Sequence, residues 1–332
     1  MRTHLSGWTG DRDFLAATLL DHPWADSELP SLVATDDGEI VGAVAAQVRR
    51  LRFTDRELRG VCCSHLVVAP GSRSGAAGAL LLGRLLRGPQ ALTWSDSAND
   101  PVLRMWRTFG GQTDYTRICE WMLVLRPLRW LGGTASALAR RSGRSREVIP
   151  VAALPFHALG RRFARERDPP PDPEVSGAEA GAAEIAEQSR EISARRRVRV
   201  EYDRPFLEYL LPLVGGRIGP LDCRLVRRGD RVIGCYAVVP NRARGLRVIH
   251  LSALEREVDA VFAELVQEAR RRGAHVLSGR LEPHVEAPVR RRLAVIGLAR
   301  RPVIHSHDPE LLAALQTDAA LLTQLDGEWF VA

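Results

Sequence analysis

Apolar positions along this chain alternate between two periods. Early on they form short continuous runs: Leu32-Val33-Ala34 and Ile40-Val41-Gly42-Ala43-Val44-Ala45-Ala46 read as two strands. Thr35-Asp36-Asp37-Gly38 between them carries hairpin-turn chemistry, with Gly38 free to take a positive φ. A third strand covers Gly60 to Val68, after a polar turn near Thr54-Asp55. The period then lengthens. Leu81, Leu82, Leu85 and Leu86 recur at helical spacing, and Gly88-Pro89 stops that helix. Ala91 to Trp94 is a short strand, and Val102 to Phe109 a helix. Asn99 or Asp100 is the candidate cap of that helix, and Pro101 lies in its first turn. Gly110-Gly111 ends it, and Ile118 to Leu125 is a last apolar strand. Ahead of all these, Phe14, Leu15, Thr18 and Leu19 predict one short helix. The order implies an α/β domain closing near Arg126-Pro127.

The pattern breaks between residues 128 and 173. Ten arginines fall between Arg126 and Arg167, against only Glu147 and Glu166, and Pro169-Pro170-Pro171-Asp172-Pro173 follows as a stiff spacer of polyproline type. This reads as a basic connector. Trp130, Leu131, Phe156 and Phe163 within it suggest packing on a domain, and a basic amphipathic segment can also lie on an anionic surface. A second compact region starts near Glu174. It reads as a helix over Phe206–Leu211, then a hairpin of Cys223–Val226 and Arg231–Val239 across Gly229-Asp230. A strand at Val248–Leu251 and a helix with Val258, Val261, Phe262, Leu265, Val266 and Ala269 on one face follow. Ala274–Ser278 is a strand, Val289 to Ile296 a helix ended by Gly297, and Val303-Ile304-His305 a late strand. The element order repeats that of the first region, so the chain divides into residues 1–127, a connector 128–173 and a second domain 174–332.

One stretch between strand and helix stands out. Leu66-Val67-Val68-Ala69-Pro70 ends a β-type run, and Gly71-Ser72-Arg73-Ser74-Gly75-Ala76-Ala77-Gly78 leads into the leucine-rich helix. Small residues at a helix N-terminus let an anion approach the backbone N–H groups closely, as a pyrophosphate would; an ordinary tight turn uses the same residues. Composition widens the picture only slightly. Of 332 residues, 45% are hydrophobic and 26% charged, which fits a soluble protein with sizeable cores. The net charge of +7 comes entirely from Arg, with no Lys in the chain. Arg-rich coding bias explains that as readily as attraction for phosphate groups. The five cysteines, Cys62, Cys63, Cys119, Cys223 and Cys235, show no paired metal-binding spacing and an odd count, so reduced thiols in a cytoplasm are expected. Met1 to Trp8 is polar and carries no signal-peptide core, and no apolar run is long enough to span a bilayer.

These residues together resemble the GNAT superfamily of acetyl-CoA-dependent N-acyltransferases. That family shows a strand, V-x-P, then (Q/R)-x-x-G-x-(G/A) and a helix. Here Val68-Ala69-Pro70 precedes Arg73-Ser74-Gly75-Ala76-Ala77-Gly78, with Ala76 where the first glycine is expected. A family Asn about seven residues before an aromatic is matched by Asn99 and Trp106. The family often has a Tyr there as general acid, a role an indole cannot fill. The resemblance covers roughly residues 30–127. By element order the second half resembles the same fold without the Gly-rich loop. It implies two GNAT-like mixed-sheet α/β folds in tandem, joined by the basic connector. Acetyl-CoA would be the co-substrate. Leu66, Val67 and Val68 would pair with the pantetheine arm, the backbone of Arg73 to Gly78 would hold the pyrophosphate, and Asn99 would lie near the thiol. The activity implied is acetyl transfer to an amine on a small molecule or peptide by direct attack. A non-catalytic acyl-CoA-binding or scaffolding protein is the alternative.

Candidate acid–base residues follow from the strand ends. His65 is the strong proton acceptor on the third strand, where the family often places its base; a hydrogen-bonded structural histidine is the competing reading. Strand alternation sets His65 with Cys63 and Val67 on one face. Asp96 could bind a cationic acceptor or cap the next helix. Cys62 and Cys63 could carry an acyl group or simply fill a core. His305-Ser306-His307-Asp308 has the look of a metal cluster, but Asp308-Pro309 also reads as a helix start. Leu325 to Phe330 reads as a docked tail whose acids, Asp326 and Glu328, could line a site. Arginine alone, without a recognisable module, gives no reason to expect nucleic acid.

Overall fold

A computed structural model describes residues 12–69, 75–126, 172–241, 245–298 and 301–328. Arg73 and Ser74 of the candidate loop and nearly all of the basic connector lie outside the described residues. Helix α1 (Arg12–Leu19) precedes a hairpin of β1 (Leu32–Asp36) and β2 (Glu39–Phe53). Its turn residues Asp37 and Gly38 both have positive φ, at 50° and 85°, which matches the right-handed twist of the flanking strands. β3 (Arg56–Val68) returns antiparallel along β2. Then come α2 (Gly75–Leu86), β4 (Leu92–Ser95), α3 (Asp100–Thr108), β5 (Gln112–Thr113) and β6 (Cys119–Val124). Leu81, Leu82, Leu85 and Leu86 of α2 are all buried, as their spacing requires.

The second half opens with β7 (Val175–Glu179), α4 (Ala182–Ile192), β8 (Val198–Val200) and α5 (Arg204–Ile218). A meander of β9 (Asp222–Arg228), β10 (Arg231–Asn241) and β11 (Gly245–Ala253) follows, then α6 (Val258–Arg271) and β12 (Val276–Arg280). A 3-10 turn at Pro283–Val285 leads into α7 (Glu286–Arg291), β13 (Val295–Leu298), β14 (Val303–His305), α8 (Pro309–Leu315) and β15 (Ala320–Leu321). The expected helix over 289–296 is therefore wrong in its second part. α7 ends at Arg291, Leu293 takes a left-handed φ of 54°, and the β-branched Val295 and Ile296 pair with β6.

Two mixed sheets result, and neither is built from one half of the chain. The first runs β15-β8-β2-β3-β4-β14-β5, with β1 also on β2; the second runs β13-β6-β12-β11-β10-β9-β7. β6, which ends the first half, inserts between β12 and β13: Trp121 faces Gly279 on one side and Ile296 on the other. Reciprocally, β14 inserts between β4 and β5, with Ile304 opposite Trp94 and Gln112. The halves thus lend each other strands: β6 goes to the second sheet, and β14, with β8 and β15 beyond β2, to the first. Burial enforces the exchange, since Trp121, Val303 and Ile304 are at most 2% exposed. One hydrophobic core joins residues of both halves, from Val44 and Leu82 to Phe206 and Leu315. The other lies between α6 and the second sheet and takes in Trp121.

Candidate functional site

The site is where two parallel strands part. β3 and β4 pair over three positions only: Gly60 with Leu92, Val61 with Thr93 and Cys62 with Trp94. Beyond Cys62, no strand among the described residues pairs with β3 on this side, while β2 still holds its other edge through Val67–Ala43 and Val68–Gly42. The backbone of Leu66, Val67 and Val68 therefore borders an opening with strand-type polarity. β3 also carries one extra residue here, because Ser64 to Val67 spans Ala45 to Ala43. The bulge centres on His65, whose φ of 50° is uncommon for any residue with a side chain. It breaks the strict alternation expected for His65, Cys63 and Val67. His65 Nδ1 lies 3.1 Å from Ser64 Oγ, and Ser64 accepts from Gln47 Nε2 at 3.1 Å.

α2 starts beside this opening. The N–H groups of Gly75, Ala76, Ala77 and Gly78 are those an α-helix leaves without intrahelical partners. Gly78 has a packing reason as well: a Cβ there would sit 3.2 Å from Val68 Cγ2, so its absence lets the helix lie close on β3. Asn99 caps α3, its Oδ1 accepting from Val102 N–H at 3.0 Å. Trp106 is fully buried in the first core, so it fills space and does not face the opening.

A carboxylate occupies the apex. Glu328, near the end of the chain, accepts hydrogen bonds from Ser95 Oγ at 2.6 Å, Ser97 Oγ at 3.1 Å and Ser97 N–H at 3.2 Å. It also acts electrostatically on Cys62 and Cys63 across the gap. It therefore sits at the end of β4, near enough to the last paired residues of β3 to act on their thiols. Burial, and then the neighbouring Asp96, push its carboxyl up from 4.5 to about 7. The same burial raises both cysteine thiols, with Glu328 adding to it, so neither supplies a thiolate nucleophile near neutral pH. Asp96 neither caps a helix nor faces solvent. It is 3% exposed, and Oδ1 accepts from Arg280 Nη1 at 2.7 Å.

The segment that delivers Glu328 is held by buried arginines aimed at its carbonyls. Arg117 donates to Leu315 O at 3.0 Å and Leu322 O at 3.3 Å, Arg280 to Leu322 O at 2.6 Å, and Arg49 to Asp326 O at 3.2 Å. Asp326 turns inward to Tyr202 Oη and to Thr323, whose hydroxyl lies 3.0 Å from His250 Nδ1. Gly327 passes so close to Asp96 Oδ2 that a side chain there would collide with it. The supposed His305–Asp308 cluster serves structure. Asp308 caps α8 and pairs with Arg56 at 2.8 Å, and His305 is buried edge-on to His307.

Neither a family model nor a curated protein matches the sequence. Solved structures do match the fold. A GCN5-related N-acetyltransferase from Anabaena variabilis ATCC 29413 aligns with a TM-score of 0.59 at 10% identity, covering 93% of this chain and 69% of that one. A GCN5-related N-acetyltransferase from Kribbella flavida gives 0.52 at 16% identity, with coverages of 84% and 60%. Eis1 from Mycobacterium abscessus gives 0.51 at 15%, with 86% and 66%. The chain has the GCN5-related N-acetyltransferase fold. It spans 60–69% of the length of these solved chains.

Within this GNAT fold the second half has its own strand parting, where β11 and β12 pair only from Leu246–Leu277 to Val248–Gly279. There a side chain takes up the freed strand edge: His284, on the 3-10 turn, lies with Nε2 2.9 Å from Leu251 O. Of the residues singled out from sequence, the parting of β3 and β4 gathers Leu66, Val67, Val68, the α2 start and Asp96, with His65 at the bulge. Glu328 was legible only as an acid in a docked tail. Arg280 and Arg49 carried no signal at all, because an Arg inside a strand reads as an exposed position.

Proposed function

We propose that this protein is an N-acyltransferase that moves an acetyl group from acetyl-CoA to an amine, with Glu328 as the general base. The observation that carries this reading is the placement of a buried, easily protonated carboxylate at the apex of the β3–β4 opening. Bound acetyl-CoA would supply a thioester open to direct attack. The open edge of β3 at Leu66–Val68 suits an extended amide-bearing arm, which would add as a further strand. The first-turn N–H groups from Gly75 to Gly78 suit a pyrophosphate, with Arg73 and Ser74 assigned to the same cradle and Asn99 beside the arm. Glu328, held by Ser95 and Ser97, would take the proton from the attacking amine. A carboxyl raised to about 7 is well matched to that transfer near neutral pH. Asp96 then serves Glu328 and does not bind the acceptor, and His65 holds the bulge through Ser64. Protonation of the departing thiolate needs little help, since an ordinary thiol titrates near 8.5.

One observation favours the second reading, a CoA-binding protein without turnover: the aromatic at the family's acid position, Trp106, is buried. Calorimetric titration of acetyl-CoA, followed by thiol-release assays over a panel of small and peptide amines, separates the two. Binding with release is expected. Binding without release on any amine would favour the scaffold, and no binding would sink both. Arg73→Glu is expected to abolish acetyl-CoA binding while leaving the circular dichroism spectrum unchanged; unchanged affinity would remove Arg73 from the cradle.

A further inference from the structure

Besides the tail that carries Glu328, the second half reaches the end of β4 through the side chain of Arg280. Arg280 ends β12 and is 4% exposed. Nη1 donates to Asp96 Oδ1 at 2.7 Å, Nη2 to Leu322 O at 2.6 Å and to Glu282 Oε1 at 3.2 Å, and Nε to the same Glu282 oxygen at 3.3 Å. One guanidinium thus ties together the end of β4, the tail that bears Glu328, and the corresponding strand end of the second half.

We propose that Arg280 is a positioning residue for Glu328, acting through Asp96. The proposal rests on the base assignment made above for Glu328. Asp96 is buried, and a buried carboxylate remains charged only when paired. Arg280 is that pair. It also leaves Asp96 Oδ2 without a hydrogen bond, lying against Gly327, one residue before the base. The Asp96 carboxyl held there adds to burial in making it costly for Glu328 to ionise, which sets the two acids apart. Every charged or titratable neighbour fits this division. Glu328 faces Asp96 from the end of β4 and Cys62 and Cys63 from β3. Arg49 on β2 acts on Cys62 and on Asp326. Around Arg280 stand Asp96, Glu282, Asp114 and Asp326. Removing Arg280 takes away the guanidinium that fixes the Asp96 carboxyl against Gly327, and with it the opposition of Asp96 to ionisation of Glu328.

The test follows the titration of Glu328 directly in the full chain, labelled with glutamate carrying carbon-13 at the side-chain carboxyl. The Glu328 resonance is the one lost in Glu328→Gln. In the unaltered protein it is expected to titrate at about 7. In Asp96→Asn and in Arg280→Met the midpoint is expected to fall by roughly one pH unit or more, and in Arg280→Lys to stay close to the parent value. The double variant Asp96→Asn/Arg280→Met is expected to fall no further than either single change. An unmoved midpoint in Arg280→Met, or shifts that add in the double variant, would overturn the proposal. If Arg280→Met does not fold, Asp96→Asn decides alone, and an unmoved midpoint there refutes it. A merely structural Arg280 would lower stability without moving the midpoint. Undiminished thiol release by Glu328→Gln would instead sink the base assignment and this role with it, whatever the titration shows.

Discussion

Replacing Glu328 by Gln tests the apex carboxylate without needing a substrate. Gln has the same shape. Its carbonyl can accept from Ser95 and Ser97 as Oε1 does, and its amide takes the place of Oε2, which accepts no hydrogen bond. The carboxyl moves from 4.5 to about 7 on folding. At 1.36 kcal/mol per unit, that is about 3 kcal/mol of stability tied to one proton. The folded state binds this proton more tightly than the unfolded chain. Its contribution is therefore complete below the unfolded value and is lost as pH rises through the folded one. Gln has no proton to lose. Urea unfolding of both proteins at about pH 5 and about pH 8 should show the variant gaining on the parent by roughly 1 kcal/mol at the lower pH and roughly 3 kcal/mol at the higher. Glu282, also raised to about 7, is common to both proteins and cancels. A stability difference that does not change with pH would refute the idea that Glu328 is buried in protonated form near neutrality.

Three further outcomes are expected. The acid limb of kcat/KM against pH should have its midpoint near 7, activity rising as Glu328 ionises, and Glu328→Gln should lose about 10²- to 10⁴-fold in rate; a limb near 4.5 would contradict the assignment. Gly327→Ala forces Asp96 and the tail apart and should cost about 1–3 kcal/mol with a large loss of turnover, measured by urea unfolding and thiol release; a silent substitution would show that the close approach is not needed. Residues 1–127 and 174–332 expressed separately should each fail to give a cooperative thermal transition, and should recover one when co-expressed, because without the other piece the first sheet lacks β8, β14 and β15 and the second lacks β6.

Much of the architecture was open to reading. The leucine spacing of α2, the Asp37-Gly38 turn and the apolar face of α6 are local patterns, and local patterns set local structure. What stayed hidden is where pieces go. Nothing in Cys119–Val124 says which sheet it joins, since its five apolar residues would suit a place in either. α4 was missed because its buried stripe has only two apolar residues, Ile185 and Ile192, with Ser189 between them. The site divided along the same line. The open edge of β3, the start of α2 and Asn99 follow one another in sequence and were found. Glu328 meets Ser95 across 233 positions and Arg280 meets Asp96 across 184, distances at which a sequence carries no spacing to read. The bulge at His65 was invisible too, because a left-handed non-glycine residue is a tertiary outcome.

The exchanged strands also bear on how the molecule is made. As the chain leaves the ribosome, β4 is exposed long before its neighbour β14 exists; Ser306, beside that strand, bonds to Ala91 across 215 positions. At roughly 5–20 residues per second, the gap lasts on the order of 10–40 s. Throughout it, the nascent first half presents an open β-edge beside apolar Trp94, the kind of surface that recruits chaperones or pairs wrongly. Two ribosomes on one message would carry such edges side by side. A chain could then accept β14 from its neighbour, giving an intertwined dimer with every contact of the monomer.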